Sequence, residues 1–196
     1  NPSDRVQVYE YLEGGKSLQT KFCSPVPTRF FRFDVKLLNE RNEAYRVDAI
    51  ENDRAYPKVL GIGDKIAFDN HKILIRQSSD HLCATFTDIP YVYNRSFYSI
   101  SNKNSSGYSQ TNLYYILALL NSKLYTQYAI LKRIIRMEAG KQPQIRLEDL
   151  KKLPVKNSSN ENLKKFIVIV SYILFLRKIK LIDISDQLIP DRKSTR

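Results

Sequence analysis

Tryptophan is absent from the 196 residues, methionine occurs once, and cysteine and histidine occur twice each. This scarcity bears first on metal chemistry. Cys23 and Cys83 stand in unrelated contexts without ligand spacing, and only His71 and His81 could join them. A zinc site is therefore short of donors. A reduced, cytoplasmic chain is the simple expectation, with one disulfide as the minor alternative. Glycine and proline are also few, at 6 and 8, which leaves little room for a long disordered tract. Long apolar runs are missing too. The longest, Phe166 to Leu176, is 11 residues interrupted by Ser171, too short to span a bilayer. No secretory leader pattern stands out. The chain starts at Asn1 and closes on Asp191-Arg-Lys-Ser-Thr-Arg196, and the expectation is a segment of a longer protein.

Acidic residues are scarce as well, but only in part of the chain. The net charge is +12 and the isoelectric point about 9.6, values that suit a polyanionic partner. Residues 1–71 hold 11 Lys+Arg against 11 Asp+Glu; residues 72–156 hold 13 against 5; residues 157–196 hold 8 against 4. The basic excess thus begins near Lys72. A solvated basic surface is the plainer alternative.

Hydrophobic residues make up 42% of the chain, enough for a core. Residues 1–28 show no period, with Gly14-Gly15 and Pro25-Val26-Pro27 as turns. Arg29 to Val35 reads as an aromatic-rich strand. Residues 39–57 read as charged and irregular. Lys58-Val59-Leu60 and Lys65-Ile66-Ala67-Phe68 flank Gly61-Ile-Gly63-Asp64 as a strand-turn-strand unit. Residues 72–86 form a hairpin broken at Gln77-Ser78-Ser79-Asp80. Tyr91 to Ile100 is one more strand, and Ser101 to Gly107 a polar loop. Leu113, Ile116, Leu117, Leu120, Leu124, Tyr128, Leu131 and Ile135 recur at spacings of three and four, one face of a helix over 112–135. Pro143 to Pro154 is a short amphipathic segment. A last helix over 160–182 is apolar nearly all round at its centre. Such a helix is buried by partners on several sides, the alternative being a basic membrane-surface helix.

The motifs of DNA-modifying catalysis are missing. Transfer of a methyl group to a base amino group needs an Asn/Asp-Pro-Pro-aromatic loop and a Gly-rich turn for the donor. Asn1-Pro2-Ser3 lacks the second proline and the aromatic, and Gly61-Ile-Gly63 is too short. Asp34-Val-Lys36 and Asp149-Leu-Lys151 carry only the end of a divalent-metal nuclease pattern, without bracketing carboxylates. A Ser-His-Asp triad could be assembled only by assumption. No catalytic residue and no metal ligand is assigned.

What remains suits nucleic-acid contact. Arg76 and Gln77 can each bond a purine edge with two hydrogen bonds, and Ser78 and Ser79 can reach phosphate or base. Asn102, Lys103 and Asn104 offer the same chemistry in the polar loop. Lys132, Arg133, Arg136, Lys141, Gln142 and Arg146 form a third group around the end of the 112–135 helix. Each group has a plainer explanation, a polar turn or cations complementing a helix dipole. Rigid strand-end residues favour base readout; long cations at a helix end favour phosphate.

Three segments also resemble a known family. Lys72-Ile-Leu-Ile-Arg-Gln77 is similar to the K-I-hydrophobic-V-R-Q strand of the TaqI-like C-terminal specificity domain. Leu117-Ala-Leu-Leu-Asn-Ser-Lys123 resembles its L-A-L-L-N-S-K helix. Pro143-Gln-Ile-Arg-Leu-Glu-Asp-Leu-Lys-Lys-Leu-Pro154 resembles its closing P-Q-I-R-I-E-D-L-K-N-L-P. The three occur in the family's order across residues 72–154. The resemblance implies the specificity module of a type IIG or related N6-adenine methyltransferase, a parent that an endonuclease could accompany in the same chain, and one akin to type I specificity subunits. It implies that Arg76 and Gln77 lie in or near the DNA-reading site, and that a following helix docks on the methyltransferase domain of the same parent. S-adenosylmethionine, and Mg where a nuclease is present, would then serve the parent and not this segment.

The expectation is an α+β fold: a mainly antiparallel twisted sheet from residues 29–100, packed on a helix and followed by a long C-terminal helix. Residues 1–156 would read double-stranded DNA; residues 157–196 would be a helical tail. A protein-interaction module of a restriction-modification complex without DNA contact is the alternative, and an RNA-binding domain a third reading.

Overall fold

The computed structural model describes residues 6–55, 61, 63, 65–101 and 110–187. Strand β1 (Gln7–Leu12) is followed by the one-turn helix α1 (Gly14–Ser17) and strand β2 (Arg29–Phe33). Helix α2 (Val35–Glu51) and the short α3 (Lys65–Asp69) precede β3 (Lys72–Arg76) and β4 (Ala84–Thr87). Then come β5 (Val92–Tyr93), β6 (Phe97–Ser101), α4 (Gln110–Asn121) and α5 (Lys123–Leu131). The small strands β7 (Ile135–Arg136) and β8 (Gln144–Ile145), helix α6 (Leu147–Leu150) and the long α7 (Asn160–Gln187) complete it. The class is α+β, as expected.

The single expected sheet is in fact two three-stranded sheets with a separate two-stranded ribbon. One sheet runs β2-β1-β5, with β1 parallel to β5; the other runs β4-β3-β6, all antiparallel; β7 pairs β8. The stretch read as one strand over 91–100 is therefore two, divided between the sheets at Asn94–Ser96. Helix α2 replaces the expected irregular region. Asp34 caps it, its Oδ1 accepting the Leu37 N–H at 3.0 Å, and this bond with the Arg32 pair holds its carboxyl below the usual carboxylate range. Its charges pair along the helix, as in Glu43–Arg46, and only a narrow stripe through Leu38, Asn42, Tyr45, Asp48 and Ala49 is covered. So few apolar positions left no periodic signal. Lys65–Phe68 is helical rather than a strand, and Lys58–Leu60 lie outside the described residues.

The expected 112–135 helix breaks at Ser122, whose Oγ accepts the Tyr125 N–H and starts α5. The chain changes direction there, so Leu124 and Leu131 are exposed while Thr126 and Ala129 are buried. The main core joins Ile73, Ile75 and Ala84 of the second sheet to Leu113, Leu117 and Leu120 of α4, and extends to Val170 of α7. Helix α7 thus packs along α4 rather than standing apart from it. Its opposite side, with Val168, Ile169, Tyr172 and Phe175, is uncovered. No helix among the described residues is long and apolar enough to cross a membrane.

Candidate nucleic-acid interface

Strand β3 is the centre of the second sheet, and Lys72 to Ile75 are fully buried. A lysine in such a place needs compensation. Lys72 Nζ donates to the carbonyls of Phe68, Asn70 (3.1 Å) and Ile89 (3.5 Å), and burial lowers its pKa to about 8. These bonds tie α3 and the 88–90 loop to the start of β3, so the strand's other end emerges in a defined place.

At that other end stands Arg76, half-buried, with its guanidinium laid on the backbone of Gly15 in α1. A Cβ at Gly15 would come within 2.7 Å of Nη2. Arg76 Nε is buried and finds no acceptor within the protein. Gln77 follows and is held on three sides. Its N–H donates to the Ser96 carbonyl (2.8 Å), its carbonyl accepts the Ile145 N–H (2.9 Å), and its Nε2 donates to Tyr98 Oη (3.1 Å). Tyr98 Oη in turn donates to the Ile145 carbonyl (3.0 Å). Both backbone groups of Ile145 in β8 are therefore claimed by the end of the second sheet. This network carries the distant segment 132–146 to the Arg76–Gln77 end, which three- and four-residue spacings in a sequence cannot reveal. Ser78 is half-buried, and Ser79 is buried with its Oγ accepting the His81 N–H.

The segment so placed is basic. It starts where α5 ends in a paired-bond C-terminal motif: Ile134 N–H donates to Ala129 O (2.8 Å) and Arg133 N–H to Ile130 O (3.0 Å). Arg133 occupies the left-handed position that favours glycine, at φ 56°. A groove of about 620 Å³ opens beside it, lined by Lys132, Arg133, Arg136 and Met137 among others. Not every cation there is free. Arg136 pairs with Asp149 at 2.7 Å and Lys141 with Glu138 at 2.8 Å. Asp149 also accepts Lys152, and these two partners hold its carboxyl below the ordinary value. Lys132, Arg133, Gln142 and Arg146 are exposed, and no carboxylate among the described residues pairs with the three cations. Of the two partial nuclease triplets, Asp34 is the α2 cap and Asp149 an ion-pair partner. Asn102, Lys103 and Asn104 lie outside the described residues. Strand β6, which leads to them, ends at Ser101 opposite Lys72, the far end of β3 from Arg76.

The sequence profile of the TaqI-like C-terminal specificity domain matches residues 10–155. The chain belongs to that family. It is a DNA-recognition domain of restriction-modification enzymes, and the matched span runs from β1 through α6 to the residues before α7. No curated protein shows significant similarity to the chain. Within this specificity domain the family's three motif segments have distinct tasks. Lys72–Gln77 is the central strand with its anchored ends. Leu117–Lys123 spans the end of α4, where Asn121 bonds Ala84 of β4, and the Ser122 cap that starts α5. Pro143–Pro154 supplies Ile145 to the network and Asp149 to the ion pair.

Proposed function

We propose that this specificity domain reads duplex DNA through the edge made by Arg76 and Gln77 together with the basic segment 132–146. The observation that supports the reading is the Gln77–Tyr98–Ile145 network, which ties Ile145, and through the β7–β8 pairing the segment carrying the exposed cations Lys132, Arg133 and Arg146, to the end of a rigid central strand. Cations on long stems supply sequence-independent phosphate contacts; a strand end held at a defined angle supports contact with base edges. Gln77 contributes its Nε2 to the fold, so it retains one amide hydrogen and Oε1 for a base. Arg76 keeps its terminal nitrogens for the same purpose.

The chain has no catalytic centre of its own in this reading, because neither the target-base loop nor the methyl-donor turn is in its sequence. The parent is an N6-adenine methyltransferase of the restriction-modification type, in some arrangements joined to an endonuclease, and acts in the cytoplasm. S-adenosylmethionine, and Mg for a nuclease, belong to those other parts. The uncovered side of α7 docks on the methyltransferase domain. A fluorescence-anisotropy titration of the chain against a mixed-sequence duplex at two salt concentrations tests the DNA reading. Binding that weakens steeply with salt is expected; no binding at low salt overturns it.

A further inference from the structure

We propose that Arg95 is a further DNA-contacting residue of this domain, a proposal that rests on the duplex-DNA reading above. The argument is topological. Strand β3 is antiparallel to both neighbours, so Arg76 lies opposite Phe97, the first residue of β6, while Lys72 lies opposite Ser101, its last. Four steps of about 3.3 Å between its five residues set the two ends of β3 roughly 13 Å apart. The turn before β6 therefore shares the edge with Arg76 and Gln77, whereas the last residue of β6, Ser101, lies at the other end.

That turn is built rigidly. Asn94 Oδ1 accepts the Ser96 N–H at 3.0 Å, and the Asn94 carbonyl accepts the Phe97 N–H at 3.2 Å. The Ser96 carbonyl is fixed by the Gln77 N–H at 2.8 Å. One residue, Gln77, thus holds the turn through its N–H and β8 through its carbonyl. Arg95 stands at the tip between two anchored neighbours and is exposed. No carboxylate among the described residues pairs with it, in contrast to Arg29, Arg32, Arg46 and Arg54, each of which meets an acidic side chain within 3.1 Å. A guanidinium held out on a fixed turn, beside the reading strand and with no carboxylate partner among the described residues, presents its planar fork to an acceptor pair. Duplex DNA offers two such pairs, phosphate oxygens and the O6/N7 edge of guanine.

The test uses the whole chain with Arg95→Ala, Arg95→Lys and, as a control for net charge alone, Arg41→Ala on the exposed face of α2. Each is titrated by anisotropy against a mixed-sequence duplex, and each is used to select from a pool of random-sequence duplexes that is then sequenced. Arg95→Ala is expected to weaken binding by roughly tenfold, with Arg41→Ala near wild type. Arg95→Lys separates the two acceptors: retained affinity and unchanged base preference mean phosphate, whereas loss of preference at a guanine position means a base edge. Arg95→Gln is the second variant should the alanine change lower the melting temperature, and it is expected to give the same loss. Equal binding and equal preference in wild type and Arg95→Ala overturn the proposal, as does an equal loss in Arg41→Ala. A wild-type chain that binds no duplex at low salt is a different result: it overturns the DNA reading itself.

Discussion

The side-chain amide of Asn121 bonds both backbone groups of Ala84: its Oδ1 accepts the Ala84 N–H at 3.0 Å and its Nδ2 donates to the Ala84 carbonyl at 2.9 Å. Strand β4 is an edge strand, paired only with β3. Asn121 serves as one residue of the missing neighbour and joins the end of α4 to the sheet. The residue is buried, so removing the amide leaves the Ala84 N–H unpaired away from water, while the Ala84 carbonyl keeps the Phe22 N–H at 3.0 Å. Asn121→Ala is expected to lower stability by about 2 kcal/mol in urea unfolding. A loss well under about 1 kcal/mol means that neighbouring groups take over the bonds.

Arg133 holds a left-handed backbone conformation that costs a non-glycine residue about 1 kcal/mol. Strain of this kind is retained where the side chain has a task. Arg133→Gly is therefore expected to raise stability by about 0.5–1 kcal/mol while weakening DNA binding and reducing the salt slope by about one. A melting curve and a salt titration on the same preparation check both halves. Greater stability with undiminished binding removes Arg133 from the interface.

Gly15 is where the Arg76 guanidinium rests. A methyl group there meets the far end of a flexible side chain, so the fold adjusts at small cost while the guanidinium is displaced. Gly15→Ala is expected to change the melting temperature little and to alter the base preference of the domain. Selection from a random-sequence duplex pool reads the preference. The reverse pattern, a large drop in melting temperature with preference intact, assigns Arg76 to the fold alone.

Gln77→Ala removes one link of the chain to Tyr98 and Ile145. The expected loss is about 1 kcal/mol in stability, together with faster amide exchange at Ile145. Unchanged exchange at Ile145 means that the backbone bonds alone hold β8 in place.

Stability is also expected to vary in a defined way with pH above neutrality. Lys72 has a folded pKa of about 8, lowered by burial from 10.5, so the unfolded chain binds more protons between these values and stability rises with pH across them. Cys83, raised by burial from 9.0 to about 11, acts in the opposite direction between those values, and Tyr91, raised from 10.0 to about 12, does so above 10. Stability should climb between about 8 and 9, level off, and fall above about 10. Urea midpoints across this range measure it. Lys72→Met should remove the climb; a climb that persists in the variant assigns it to another group.

Much of this protein was legible along the chain. The central strand announced itself as an unbroken apolar run with basic ends, and α4 as a spacing of three and four, because burial on one or two sides imposes a period on neighbouring residues. The charge step near Lys72 located the basic surface. Helix α2 was not legible, because a helix stabilised by its cap and surface ion pairs needs few apolar positions. The break at Ser122 was hidden for a related reason: the spacing runs on through a one-residue cap, and only the turning of the chain exposes Leu124 and Leu131.

The sequence by itself determined the α+β class, the family, and the residue types able to touch DNA, since these follow from local pattern and composition. Which of them stand together was decided by the tertiary structure alone. The antiparallel pairing of β3 and β6 sets the Arg95 turn, and not the end of β6 at Ser101, beside Arg76. The two backbone bonds of Gln77 bring Ile145 across from a segment 68 residues further along. Ion pairs with Asp149 and Glu138 occupy Arg136 and Lys141 while Lys132, Arg133 and Arg146 stay exposed. Hydrogen-bond partners distant in sequence leave no period in it, so the membership of the site is a property of the fold.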